Sequence, residues 1–236
     1  MIECAMYLDL SDPDKYYPGI FLSEATTRFS GAISLEMGYE GGCYIPFSSK
    51  LSKHLSPVGE EIIVEKIEKV DNLPYRLLAI KKSNCWFFVD LNKVNALTRQ
   101  LILDRSESGE LLEEKAISQG FRPDFSTIQP KRRIWEVKTL LDESEEVLYP
   151  RVLSRRSQKQ FQKMLELLTE GWEITLVFVL LNPKIVAVRI NQKQKAYYEL
   201  FCQLVEAGMK IESFIMENSE LGFSVKENPS KLEIFL

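Results

Sequence analysis

The rhythm of apolar and polar positions changes once along the chain. In residues 1–103, short apolar runs bounded by turn residues predict strands, most clearly EEIIVEKIEKV (60–70), YRLLAIKKS (75–83) and CWFFVDL (85–91). GYEGG (38–42) and SPVGE (56–60) predict turns between such strands. Several short strands in succession point to a small sandwich or barrel, and an OB-like barrel is one architecture that fits this length.

Near LDRSESGELLEEK (103–115) the chain turns polar, acidic and rich in Gly and Ser, as expected of a linker running into a helix. The division is placed there, between a β domain at 1–103 and a second domain at 104–236. In the second part strand and helix patterns alternate. Residues 121–140 read as a hairpin, 174–181 as a buried strand and 184–190 as a further short strand. A helix is expected over 157–170, where Phe161, Met164, Leu165 and Leu168 form one apolar stripe and Gly171 closes it. A second is expected over 195–207, with Tyr198, Phe201, Cys202 and Val205 as its stripe and Gly208 at its end. Strand, helix and apolar strand in succession imply a crossover onto a partly parallel sheet, so the chain as a whole is α/β (α+β).

One stretch carries candidate chemistry, FRPDFSTIQPKRRIWEVKTL (121–140). On a strand, alternate side chains share a face, so Ile134, Glu136 and Lys138 point one way and Trp135, Val137 and Thr139 the other. If the segment before the QPKRR turn pairs with this strand, Asp124 lies beside Glu136. Two converging carboxylates suit a hard cation such as Mg²⁺ or Mn²⁺, and a neighbouring lysine suits the positioning of an attacking water, which together describe cleavage of a phosphodiester. A Glu-x-Lys triplet on a half-exposed strand is equally an ordinary ion pair. Downstream, RVLSRRSQKQFQK (151–163) holds Arg151, Arg155, Arg156, Lys159 and Lys163 with no acid, either a solvated charged face or a phosphate grip at a helix start.

Composition narrows the classes. Four cysteines (Cys4, Cys43, Cys85, Cys202) without a CxxC pair indicate neither a zinc knuckle nor a disulfide framework, and a reducing cytoplasm is the expected compartment. A single histidine, His54, excludes multi-histidine metal sites and most histidine-based triads. The longest apolar run, 174–181, is too short to span a bilayer, so no membrane association is expected. With a net charge of −4, any nucleic-acid binding must come from local clustering.

The order of these pieces resembles the sugar fermentation stimulation protein (SfsA) family of bacteria and archaea. TTRFSGAI is similar to its Asn-Arg-Phe opening at Arg28 and Phe29, CYIPFSSKL occupies the place of its His-x-Pro-Asn-Thr-Gly segment, and VDLNKVN that of a strand ending in Asn. RPDF resembles its Arg-Phe-Asp-Phe, WEVKTL its Glu-Val-Lys strand, and LYPRVLSRRSQKQF its Phe-Pro-Asp-Ala segment. The resemblance implies an N-terminal OB-like β-barrel followed by a PD-(D/E)xK nuclease-like domain, a mixed sheet flanked by helices, with DNA binding and, in some members, regulation of sugar metabolism. It implies Asp124, Glu136 and Lys138 as the nuclease-like motif, with the metal on Asp124 and Glu136, and Arg156 as the arginine opening the next helix. Glu113 or Glu114 would stand for a preceding acid. Arg122, Arg151, Arg155, Arg156, Lys159 and Gln160 are the expected nucleic-acid contacts.

The departures are Arg151 in place of Asp, Ser157 in place of Gly, Gln160 in place of His, Tyr44 in place of His and Phe47 in place of Asn. Gln160 hydrogen-bonds but does not move a proton as histidine does. Three functions follow: a metal-dependent nuclease acting on DNA rather than RNA, a catalytically weak DNA-binding or regulatory module, and a small-molecule or protein-interaction domain on an inherited scaffold. In the second, Tyr44, Phe47, Trp86 and Phe88 are candidates for base stacking, with core burial the expectation for Trp86 and Phe88. The sequence sets no oligomeric state; a homodimer is compatible with cutting both strands.

Overall fold

The computed structural model describes residues 6–26, 29–70, 72–105, 110–118, 120–152, 154–219, 222–228 and 232–236. Arg28, of the expected Arg-Phe pair, lies outside them. After a short strand β1 (Met6–Asp9), the chain forms β2 (Tyr16–Glu24), β3 (Ser30–Leu35), β4 (Glu40–Tyr44), β5 (Glu61–Val70) and β6 (Leu73–Lys82). The sheet order β4-β3-β2-β5-β6 closes on itself because Tyr44 of β4 also pairs, in parallel, with Arg76 of β6. Closure removes the open edges of this β unit. The strands alternate as their sequences require: in β3, Gly31, Ile33 and Leu35 point inward and their neighbours outward. Phe21, Ile33, Cys43, Ile62, Val64 and Leu77 fill the interior, a closed OB-like barrel.

β7 (Cys85–Phe88) extends β6, and there the chain departs from expectation. VDLNKVN is not a strand: Asp90 ends the extended run and caps a helix, α1 (Leu91–Arg105). Its carboxylate accepts from the amides of Asn92 at 3.0 Å and Lys93 at 3.2 Å, satisfying donors that a helix start leaves unpaired. Val94, Leu101 and Ile102 are the buried face of α1. The expected linker-then-helix order is thus reversed, since the helix comes first and β8 (Leu112–Glu113) follows.

The remaining elements are β9 (Phe125–Thr127), β10 (Arg133–Leu140), β11 (Glu146–Tyr149), α2 (Arg155–Thr169), β12 (Glu173–Leu180), β13 (Ala187–Ile190), α3 (Lys195–Glu206), β14 (Lys210–Ser219), β15 (Gly222–Glu227) and β16 (Glu233–Phe235). A seven-stranded sheet runs β1-β15-β14-β12-β10-β9-β8, with β10, β12 and β14 parallel at its centre and antiparallel pairs at both edges. A smaller parallel sheet, β11-β13-β16, lies apart from it.

The central strand β12 is buried on both faces, as its apolar sequence demands. Val177 and Val179 face a core shared with the barrel, α1, Phe214 and Phe223, where Phe88 and Phe223 bring their ring centroids to 4.9 Å. Leu176, Phe178 and Leu180 face a second core under α2 and α3, built on Phe161, Met164, Tyr197 and Phe201. α2 starts two residues before the expected position because the Ser154 hydroxyl accepts from the Ser157 amide at 3.0 Å. In α3 the buried stripe is Tyr197, Leu200, Phe201 and Leu204, with Tyr198 and Val205 only half-buried, so the helix is rotated by about one position from the expected stripe.

Two elements relate the halves of the chain. β1 pairs antiparallel with β15, Met6 opposite Val225 and Asp9 opposite Gly222, so the N-terminal strand belongs to the second sheet. α1 packs on β1 and β15 as well, which means a division at 103/104 cuts through the end of a helix that covers that sheet. The barrel, 16–88, is in effect inserted between β1 and α1.

Gly222 permits the β1–β15 pairing: a Cβ there would lie 1.9 Å from the Leu8 carbonyl oxygen. Gly222→Ala should therefore cost about 1–3 kcal/mol in chemical denaturation and deprotect the amides of β1 to hydrogen exchange, while barrel amides stay protected.

Candidate active site on strand β10

β9 and β10 pair with Phe125 opposite Trp135, so one step further along the ladder Asp124 stands opposite Glu136. The Asp124 carboxylate is held there by the Val137 amide, which donates to Oδ2 at 2.6 Å. Glu136 is 1% exposed; its Oε1 accepts from Lys138 Nζ at 2.5 Å, and its Oε2 is buried with no hydrogen-bond partner among the described residues. The structure thus brings Asp124, Glu136 and Lys138 together on the face of β10 that looks toward α2 and α3.

An unsatisfied buried carboxylate oxygen costs about 1–3 kcal/mol, more when charged, and a cation is its natural complement. Burial, then the Glu136 charge, push the Asp124 carboxyl up to about 6; Lys138 and the Val137 amide oppose this, and Glu114 adds to it. Burial alone would lower the Lys138 ammonium, but Glu136, Tyr149 and Asp124 outweigh it and hold that group above its ordinary value. Lys138 is therefore a charged donor at this site. Of the two candidate preceding acids, Glu113 is tied to Arg99 at 3.1 Å, whereas the Glu114 amide donates to the Asp124 carbonyl at 3.1 Å, which places Glu114 beside the site.

Tyr149 and Tyr197 complete the enclosure, and neither was expected. Lys138 lies opposite Phe178 in the β10–β12 register, and the Tyr149 ring stands edge-on to Phe178 at 5.1 Å. Tyr197 donates its hydroxyl hydrogen to the Tyr149 oxygen at 3.2 Å, and burial raises both phenols. Nothing in sequence distinguishes such a tyrosine from an ordinary core aromatic, because only its hydroxyl reaches the site.

Arg122, Arg155, Arg156, Lys159 and Gln160 line a cleft of about 580 Å³, together with Ser118, Gly120 and Phe121. Arg122, Arg155, Arg156 and Lys159 are exposed, and the buried Ser118 hydroxyl has no hydrogen-bond partner among the described residues. Phe121 connects cleft and core, since it packs in the second core with Ile134 of β10. Arg151 does not line this cleft: its guanidinium pairs with buried Asp142 and donates to the Lys53 carbonyl at 2.6 Å. That contact belongs to the junction with the barrel, where His54 also lies. The ring accepts from or donates to Ser49 at 2.6 Å through Nε2 and meets the Leu141 carbonyl at 3.1 Å through Nδ1. Burial, then the Arg151 charge, lower the His54 imidazole, keeping it neutral.

Of the aromatics considered for base stacking, Phe47 and Phe88 are buried; Trp86 is half-buried with Lys81 near its ring, and Tyr44 is half-buried against Phe29. Among the described residues no group of three or more His, Cys, Asp or Glu side chains forms a metal cage. A site of two carboxylates remains suited to an ion that keeps several waters. Among the described residues no helix is long and apolar enough to cross a membrane.

A solved structure of Pyrococcus furiosus SfsA in complex with Ca²⁺ shares this fold with a TM-score of 0.77 and 19% identity, over 98% of this chain and 100% of that one. No curated protein matches by sequence. The family model described as the sugar fermentation stimulation protein RE domain matches residues 92–221, from α1 to just before β15, and so spans more than half of the chain including every side chain of the site on β10. The chain belongs to the sugar fermentation stimulation protein family.

Proposed function

We propose that this protein is a divalent-metal-dependent nuclease acting on DNA, with Asp124 and Glu136 holding Mg²⁺ or Mn²⁺. The observation that carries this reading is the buried, unpartnered Oε2 of Glu136 beside the Asp124 carboxylate. The cationic cleft supports it along the chain, since Arg122, two residues before Asp124, lines that cleft. The Ca²⁺ in the Pyrococcus furiosus relative supports a divalent ion as the ligand class. Such an ion supplies Lewis acidity and offsets charge on a phosphate oxygen.

The chain's own groups divide the remaining work. Arg155, Arg156 and Lys159 bind phosphates, with the Ser118 hydroxyl as a neutral donor among them. Lys138, charged and pinned by Glu136, orients the attacking water and stabilises developing negative charge; held above its ordinary value, it is poorly suited to removing a proton. Tyr149 and Tyr197 keep bulk water from the Glu136 side. A second reading, a DNA-binding module with little turnover, is favoured by Gln160 in the cleft, where the family resemblance expects histidine.

Cleavage of plasmid and single-stranded DNA with Mg²⁺ or Mn²⁺ tests the first reading. Asp124→Asn and Glu136→Gln should each lower the rate at least ~100-fold and abolish metal binding measured by calorimetry, since losing even an outer-shell partner of a metal ligand costs about 10–100-fold. Parent-like cleavage by Asp124→Asn would remove Asp124 from the mechanism, and absence of cleavage with intact DNA binding would favour the second reading.

The raised Asp124 carboxyl also has a stability signature. The fold holds this proton more tightly than the unfolded chain does, so its stabilising contribution is present below about pH 4 and is lost as pH rises through about 6. Without metal, Asp124→Asn should be more stable than the parent above pH 6 and equal to it below about pH 4; the reverse order would contradict the burial argument. Arg151→Ala should cost about 1–3 kcal/mol by leaving the buried Asp142 Oδ2 without its cation, and should leave the salt dependence of DNA binding unchanged. A shallower salt slope in that variant would return Arg151 to the phosphate contacts.

A further inference from the structure

A second groove, of about 380 Å³, lies between α2 and α3 and is lined by Gln158, Gln162 and Gln203 together with Lys159 and Glu199. Lys159 lines both this groove and the cationic cleft, so the two are adjacent across one side chain. Gln158 and Gln162 are one helical turn apart on α2, which sets their amides on one face, and Gln203 approaches from α3. All three are at least partly exposed.

The chemistry of the two depressions differs. The cleft is lined by three arginines and a lysine with no acid, and suits phosphates. The groove has one lysine and one carboxylate in its lining, Lys159 and Glu199, the latter 3.9 Å from Lys195, so positive charge is sparser there than in the cleft. What the groove presents is a cluster of neutral amides, each with two donors and an acceptor. That pattern complements base edges, and an amide bonds adenine in a bidentate manner through N6 and N7.

We infer that the α2–α3 groove reads bases of the strand whose phosphates lie in the cleft, and that it favours adenine. The inference rests on the nucleic-acid reading above and extends it to base preference. Phosphate contacts set affinity and register, while groove contacts set which sequence is held.

Binding of fluorescent single-stranded dA, dC and dT homopolymers of equal length, each titrated with salt, tests this. The parent should bind dA about tenfold more tightly than dC or dT. Combined Gln158→Ala, Gln162→Ala and Gln203→Ala should erase that preference without changing the salt slope, and helix content and melting temperature should match the parent because alanine suits exposed helix positions. Lys159→Ala should lower the log–log salt slope by about 0.7 for every homopolymer and leave the base preference standing. Equal affinity of the parent for all three, or an adenine preference that survives the triple substitution, overturns the inference while leaving DNA binding intact. No salt-dependent binding to any strand overturns the nucleic-acid reading as well.

Discussion

A carboxylate taken out of water must be compensated by charge or by hydrogen bonds, and Glu136 is where this fold meets that constraint. One of its oxygens is satisfied by Lys138, two residues along the same strand, and the other by nothing within the described protein. The surrounding architecture keeps it so. β9 and β12 hold β10 on both sides, Phe178 and Tyr149 close one flank, and the Phe161–Tyr197–Phe201 cluster under α2 and α3 excludes solvent from above. Asp124, drawn against the Val137 amide, adds a second acid within the same poorly hydrated corner, and its raised affinity for a proton measures how unfavourable that is. Positive charge arriving from outside relieves both acids together.

The features legible in the sequence were those that periodicity dictates. Alternation along β10 put Glu136 and Lys138 on one face, the apolar run of β12 marked a strand covered on both sides, and the stripe through Phe161 and Met164 marked α2. Asp124 was legible because a short basic turn leaves little freedom in how β9 meets β10. The α1 helix was missed although Leu91, Val94, Thr98 and Leu101 repeat at helical spacing. Val89 and Asp90 continue the β-rich run before it, and the capping role of Asp90 hides behind that apolar context. β11 and β16 are too short to show a period of two; β13 lies within the strand expected over 184–190, but its pairing with the other two joins segments far apart in the chain. No local pattern announces such a partner.

Arg151 shows how charge in sequence misleads about place. It stands in a basic run whose Arg155, Arg156 and Lys159 line the cleft, yet a buried Asp142 and a barrel carbonyl claim its guanidinium. Around it the junction is polar and specific: the Ser56 amide donates to Glu143 at 2.7 Å, the buried Asn182 amide donates to the Asp142 carbonyl at 2.8 Å, and neutral His54 bridges Ser49 and Leu141. The barrel therefore meets the β10 domain through directional bonds as well as through the shared apolar core. That makes the relative placement of the two halves a defined one, and sets the barrel loop at 49–56 beside the segment that leads into α2.

The pairing of β1 with β15 ties the first described strand to one of the last, across almost the whole length of the polypeptide. Contacts so distant in sequence close a very large loop, and their entropic cost grows with that length while their reward comes only when both ends have been made. A ribosome releases Met6–Asp9 long before Gly222–Glu227 exists, so the barrel has time to fold as a local unit between them while the edge strand waits. The corner that holds Glu136 is then assembled in a sheet whose final seam is sewn by residues made before the barrel.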